Sequence, residues 1–209
     1  MINQPAAIAE GLRLPVMEHF YTIQGEGGNA GKPAYFIRLG GCDVGCTWCD
    51  VKESWSFDAH PIYDIEEIVG WVIATNAKNV VITGGEPSLY QLGLLTKSLK
   101  QKGLNTWIET SGTNDLTGIW DWICFSPKKF KPPVNSIFEQ AHEFKVIVAN
   151  KHDLQWGLDL AQNLNKNCVL YFQPEWEKAK KMLPLIIDFV KDYPNWQISL
   201  QTHKYMDIP

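Results

Sequence analysis

Three cysteines within one short stretch are the part of this 209-residue chain best equipped for chemistry. They are Cys42, Cys46 and Cys49, spaced C-x3-C-x2-C inside Gly40-Gly41-Cys42-Asp43-Val44-Gly45-Cys46-Thr47-Trp48-Cys49-Asp50. Glycines at 40, 41 and 45 let the backbone turn tightly around something small. A closed zinc site needs four ligands, and the nearest further candidates, Asp50 and His60, are poorly placed for a thiolate-rich tetrahedron, so zinc is the weaker reading. A four-iron cluster normally takes four thiolates. Three leave one iron without a protein ligand, and an open iron is a place for chemistry. The other two cysteines, Cys124 and Cys168, sit in apolar runs and read as core residues.

Polar residues near this loop are the next candidates. Phe20 to Ile23 reads as a short aromatic strand running into Gln24-Gly25-Glu26-Gly27-Gly28-Asn29-Ala30-Gly31-Lys32-Pro33. The Gly31-Lys32 pair does not make a phosphate loop, because Glu26 stands five positions before Gly31 and Pro33 stands where Ser or Thr is required. Ala34 to Leu39 is a buried strand with one charge, Arg38, feeding straight into the cysteine loop. A charge there needs a partner or a ligand. Gln24, Glu26 and Arg38 are therefore expected near the cysteines; a solvated Glu26 and a structurally paired Arg38 remain the alternative.

The elements that must hold these residues follow a repeating pattern. Residues 1 to 15 read as a leader that packs on the domain without defining it. After the cysteines, Tyr63 to Thr75 has apolar residues at 65, 68, 69, 72 and 73, with acidic residues at its start where the helix dipole favours them. Strands are expected at Asn79–Thr83, Asn105–Glu109, Trp122–Phe125, Glu143–Val148, Cys168–Phe172 and Trp196–Leu200, and helices at Leu92–Lys102, Asp153–Leu164 and Ala179–Asp192. Several of these strands end in polar loops: Thr83-Gly84-Gly85-Glu86-Pro87, Glu109-Thr110-Ser111-Gly112, Ser126-Pro127-Lys128 and Gln173-Pro174-Glu175. Strands separated by helices imply a parallel sheet with ligands at the carboxyl ends. About six parallel strands are too few for an eight-stranded barrel. The expected fold is α/β, a single domain over 1–209 built as an open, partial TIM-like barrel with outer helices.

Composition narrows the functional classes. Apolar residues make up 45% of the chain and net charge is −4, with Lys and Arg scattered, which argues against a nucleic-acid surface and for a small-molecule substrate. The chain lacks a long apolar run, and Met1-Ile2-Asn3-Gln4-Pro5 lacks the start of a signal peptide, so a cytoplasmic protein without membrane contact is expected. Clustered thiols in a reducing compartment suggest metal ligation rather than disulfides.

With Trp48 just before the last cysteine, the cysteine loop resembles the cluster loop of the radical S-adenosylmethionine (SAM) enzymes. Tyr21-Thr22-Ile23-Gln24-Gly25-Glu26-Gly27, Thr83-Gly84-Gly85-Glu86-Pro87, Ile108-Glu109-Thr110, Ser126-Pro127-Lys128, Gln173-Pro174 and Gln201-Thr202-His203-Lys204-Tyr205 extend the resemblance over nearly the whole chain. Together they resemble the 7-carboxy-7-deazaguanine synthases of the queuosine and deazapurine pathway.

That resemblance implies a lyase. 6-Carboxy-5,6,7,8-tetrahydropterin is rearranged to 7-carboxy-7-deazaguanine with loss of ammonia, started by a 5′-deoxyadenosyl radical that takes a hydrogen from C6. It implies a [4Fe-4S] cluster on Cys42, Cys46 and Cys49, and no catalytic side chain beyond cluster and cofactor. SAM would be bordered by Trp48, Cys49, Asp50, Gly85, Ser126, Pro127, Lys128, Gln173, Pro174, Glu175 and Trp176. The pterin would meet Ile23, Gln24, Gly25, Glu26, Arg38, Thr83 and the carboxylate of Pro209. A carboxylate suits the two adjacent donors of an aminopyrimidinone edge and a cation suits the substrate's own carboxylate; which of Glu26 and Arg38 meets which edge stays open.

The implied partners are an electron donor such as flavodoxin and a second copy in a homodimer. The chain departs from the family at Val51, where members commonly carry a Thr or Ser hydroxyl that helps hold Mg²⁺, so weak Mg²⁺ binding is expected. Two rivals remain: an activase acting on a protein partner, and a non-catalytic iron–sulfur or zinc protein. A carrier more often supplies a fourth cysteine, and an activase has no use for Gln24, Glu26 and Arg38 beside the cluster.

Overall fold

The computed structural model describes residues 6–209, so the reading of Met1 to Pro5 lies outside the described residues. A short helix, α1 (Ala6–Ala9), precedes β1 (Arg13–Ile23), which pairs antiparallel with β2 (Pro33–Leu39) on one side and with β3 (Ile62–Asp64) on the other. From β2 onward every pairing is parallel, through β4 (Asn79–Gly84), β5 (Asn105–Thr110), β6 (Trp122–Phe125), β7 (Glu143–Val148), β8 (Val169–Pro174) and β9 (Trp196–Ile198). The order is β3-β1-β2-β4-β5-β6-β7-β8-β9. Among the described residues no pairing joins β3 to β9, so the barrel is open, as expected.

The expected strands appear within a residue or two of their expected ends, and two readings need correction. The leader assignment fails at residues 13–15, because Leu14 is completely buried and Arg13, Leu14 and Pro15 pair with β3. The aromatic segment at 20–23 is the second half of that same 11-residue strand, which has a partner on each side.

Helices α2 (Ile65–Ile73), α3 (Gly93–Gln101), α5 (His152–Ala161) and α6 (Ala179–Asp192) fill the crossovers, with shorter α4 (Ser136–Gln140) between β6 and β7. The β5-to-β6 connection has no helix, which departs from the expected repeat. In α2, Ile65, Ile68, Val69 and Val72 are buried, the spacing of a single apolar stripe against the sheet. α7 (Thr202–Met206) lies after β9.

Strand periodicity of two decides which side chains face the cavity. Ile37 and Leu39 of β2, Val80 and Ile82 of β4, and Phe144, Val146 and Val148 of β7 join the main core with the helices. Their alternates Phe36, Arg38, Thr83, Glu109, Lys145 and Gln173 line the opposite, inner face. An interior that starts apolar with Ala34, Val81 and Trp107 becomes polar toward the strands' carboxyl ends.

Candidate active site

The cysteine loop is gripped along its length. Tyr90, 3% exposed, donates its hydroxyl to the Gly40 carbonyl at 2.6 Å, while the Gly41 and Cys42 amides donate to Ser54 and Trp55 carbonyls at 2.7 and 3.2 Å. The end of β4 presses on the loop's start: Gly85 N donates to Leu39 O at 3.0 Å and Glu86 N to Gly41 O at 2.9 Å. Gly84 holds a φ of +145°, and a Cβ on either Gly84 or Gly85 would overlap the backbone of Leu39 or Gly41. Two glycines are needed there for both conformation and close approach.

The loop's outer side is also held. Lys131 pairs with Asp43, the Phe130 ring meets Trp48 edge-on at 6.2 Å between centroids, and Lys204 Nζ reaches Asp50 Oδ2 at 3.2 Å. Burial pushes the Cys42 thiol up and the Cys46 thiol up to about 11, with Lys128 pulling the latter back. Metal binding would displace those protons. Among the described residues no three His, Cys, Asp or Glu side chains gather closely enough for one bare metal ion. The three thiols instead border a common space.

That space is a cavity of about 270 Å³. Cys42, Cys46 and Cys49 line it, together with Trp48, Asp50 and Val51 of the same loop. So do Ile23, Gln24, Gly25, Glu26, Arg38, Thr83, Gly85, Ser126, Lys128, the Gln173 to Trp176 segment and Pro209. Of the expected contacts, Pro127 alone is not on the wall. The two remaining cysteines lie elsewhere. Cys124 is buried with its thiol 3.4 Å from Glu143 Oε1, and Cys168 is half-buried against the core.

Several charged wall residues were not among the expected contacts. Glu86 is 1% exposed and its carboxylate accepts from Ser88 N at 2.9 Å, Thr110 Oγ1 at 2.5 Å, Ser111 N at 2.8 Å and the Ser111 hydroxyl. Four neutral donors thus tie the β4 and β5 ends together. Lys145 pairs with Glu26 and lies 4.0 Å from Glu109 Oε2. Gln201 Nε2 donates to Glu26 Oε1 at 3.0 Å, and Thr202 N donates to Gly25 O at 2.9 Å, so the segment leading into α7 closes on the Gln24–Glu26 turn.

Burial alone would raise the Glu26 carboxyl; attraction to Lys145 and hydrogen bonds from Lys145, Gln173 and Gln201 outweigh it and hold the group down at about 2. Glu26 is therefore neither free nor solvated. Arg38 has a structural partner as well, with Nε 2.5 Å from Glu18 Oε1, yet it still lines the cavity. The expected convergence of Glu26 and Arg38 is one of shared wall. They do not pair with each other.

An open α/β sheet with three thiols on a loop after its first parallel strand defines a class. The model of the Radical SAM superfamily matches residues 36–167, and the chain belongs to that superfamily. At finer grain it is 53% identical over 204 residues to a 7-carboxy-7-deazaguanine synthase of Flavobacterium psychrophilum, covering 97% of this chain and 96% of that protein. It is 44% identical to one from Synechocystis sp., covering 93% of each. The crystal structure of QueE from Escherichia coli superposes with a TM-score of 0.83 at 32% identity, covering 92% of this chain and 96% of that one. The chain belongs to the 7-carboxy-7-deazaguanine synthase family.

Its cofactors are a [4Fe-4S] cluster and SAM, and the wall suits both. Three cavity-facing thiols match a cluster with one open iron. The Gly84-Gly85 strand end leaves backbone exposed where a side chain would intrude, and Glu175 Oε2 is buried without a hydrogen-bond partner, an acceptor waiting for a donor. Magnesium fits less well. Val51 lines the wall with a side chain that has no oxygen, and its carbonyl already accepts the Ser54 hydroxyl at 2.6 Å.

Proposed function

We propose that this chain converts 6-carboxy-5,6,7,8-tetrahydropterin to 7-carboxy-7-deazaguanine with loss of ammonia. The observation that carries the reading is one cavity bordered both by the three cysteines and by a paired set of cationic and anionic side chains. When bound, the reduced cluster and SAM supply one-electron reduction and hydrogen abstraction.

The chain's own residues would do the rest. Cys42, Cys46 and Cys49 hold the cluster. Gly85 offers main-chain carbonyl approach to the cofactor's amino group, and Trp48, Asp50, Ser126, Lys128 and the Gln173 to Trp176 segment border its nucleoside. Ile23, Gln24, Gly25, Thr83 and Pro209 shape the pterin side. Arg38 keeps its terminal guanidinium nitrogens for the substrate carboxylate, since only Nε is engaged by Glu18. Glu109, which receives Gln24 Nε2 at 2.8 Å on one oxygen, has the other 4.0 Å from Lys145 and is more available than Glu26 to a donor edge. Apolar Phe20, Phe36 and Ile147 on the same wall keep water from the reacting ring. The electron comes from an external donor such as a flavodoxin.

The test is turnover by the anaerobically reconstituted, reduced protein with SAM and the pterin, read by mass spectrometry of the product. Replacing Cys42, Cys46 or Cys49 with Ala should abolish product, while Cys124→Ala and Cys168→Ala should retain it. Product from a Cys46→Ala protein, or none from the natural one, sinks the reading.

A further inference from the structure

Two carboxylates share one ammonium on the cavity floor. Lys145 is 3% exposed; its Nζ is hydrogen-bonded to Glu26 Oε2 and lies 4.0 Å from Glu109 Oε2. Gln24 links the two acids, donating Nε2 to Glu109 Oε1 at 2.8 Å and accepting the Glu26 amide on Oε1 at 3.0 Å. Beneath them on the same face, buried Glu143 is occupied by Gly28 N at 2.9 Å, Trp122 Nε1 at 3.0 Å and the Cys124 thiol, and it does not reach the cavity wall. Glu26, Glu109 and Lys145 all line the cavity.

One cation against two anions leaves the floor acceptor-rich. The hydrogen-bond polarity of that floor depends on the cation. Two carboxylates held close in a poorly solvated site resist full ionisation and tend to retain a proton. An ionised carboxylate only accepts, whereas a protonated one also donates.

We propose that Lys145 is a specificity-determining positioning residue: it holds Glu26 and Glu109 as acceptors, so that the floor takes the adjacent N–H donors of an aminopyrimidinone edge and rejects a ring presenting carbonyl oxygens there. The inference rests on the pterin reading above. It assigns Lys145 no contact with the reacting atoms. Burial opposes the charge, yet the carboxylates Glu109, Glu26 and Glu143 around it raise the Lys145 ammonium well above its usual range.

The experiment compares equilibrium binding of the 6-carboxy-tetrahydropterin and of its analogue carrying oxygen in place of the 2-amino group, on reconstituted holoenzyme without reductant. The natural protein should prefer the amino compound by at least about 100-fold, as sites built around a substrate N–H do. Lys145→Arg should keep that preference. Lys145→Met should bring it to within about tenfold, because a retained proton now donates to the analogue's oxygen. Lys145→Gln, which keeps a donor to Glu26 without the charge, carries the same expectation should the Met variant fail to fold.

Equal weakening of both ligands in the neutral variants, with the ratio intact, would make Lys145 a structural charge partner and overturn the inference while leaving the pterin reading standing. Loss of the preference in Lys145→Arg would overturn it too. A natural protein that binds neither compound, or prefers the analogue, would remove the pterin reading and this inference with it.

Discussion

Tyr90 and Gly40 are separated by 50 positions in the chain and joined by a 2.6 Å hydrogen bond from phenol to carbonyl. Through it, the turn after β4 braces the first residue of the cysteine loop. Removing the hydroxyl leaves a buried carbonyl without its partner. Tyr90→Phe should lower unfolding free energy by roughly 1–3 kcal/mol and reduce iron retained after reconstitution. Denaturant midpoints and iron content check this; an unchanged midpoint would show the brace to be idle.

Arg38 has two uses that its partner separates. Glu18 is partly exposed, so the ion pair itself should contribute no more than about 1 kcal/mol. Glu18→Gln is therefore expected to leave stability and pterin KM nearly unchanged. Arg38→Ala should raise the pterin KM by about 10- to 100-fold through loss of a charge-assisted contact, with the cluster's absorption spectrum intact. Equal kinetics in the two variants would return Arg38 to a purely structural role.

Acid stability should report on Glu26. Its carboxyl is held at about 2 against an ordinary 4.5, so the folded state binds fewer protons than the unfolded one between those values. The resulting stability is present above about 4.5 and is lost as pH falls toward 2. Thermal midpoints measured across that window should fall more steeply for the natural protein than for Glu26→Gln. Parallel curves would mean that Glu26 is not the group responsible.

Magnesium dependence should be weak. The Val51 side chain, at a wall position, carries no oxygen, and Mg²⁺ requires oxygen ligands. After chelator treatment, added Mg²⁺ should change turnover by less than about threefold in the natural protein and by more in Val51→Thr. Strong saturable dependence that the substitution leaves unaltered would dissociate position 51 from the metal requirement.

Much of the architecture was legible because parallel strands announce themselves. Val80-Val81-Ile82 and Val146-Ile147-Val148 are β-branched runs bounded by polar loops, and buried strands of this kind need no distant partner to be recognised. The first half of β1 is hard to see in sequence because Arg13 to His19 mixes Pro15, Glu18 and His19 with apolar residues, and its strand character comes from pairing on both sides. Glu109 was placed at a ligand-facing strand end without a contact of its own, whereas Lys145 was missed as a wall residue although a signal existed. Glu143 and Lys145 alternate with Phe144 and Val146, which marks a polar inner face on a central strand. The Glu18 partner of Arg38 was invisible for another reason: it depends on β1–β2 register, where Glu18 stands opposite Arg38.

The most direct test of the account follows one hydrogen atom. Because loss of ammonia leaves the overall rearrangement redox-neutral, the hydrogen taken from C6 must be balanced by one returned to the product radical. With substrate deuterated at C6, reduced holoenzyme and SAM, deuterium should therefore enter the 5′-carbon of the adenosyl group, read in 5′-deoxyadenosine and in the remaining SAM. Deazapurine formed while the adenosyl 5′-carbon stays unlabelled in both 5′-deoxyadenosine and SAM would contradict hydrogen abstraction from C6 in this cavity.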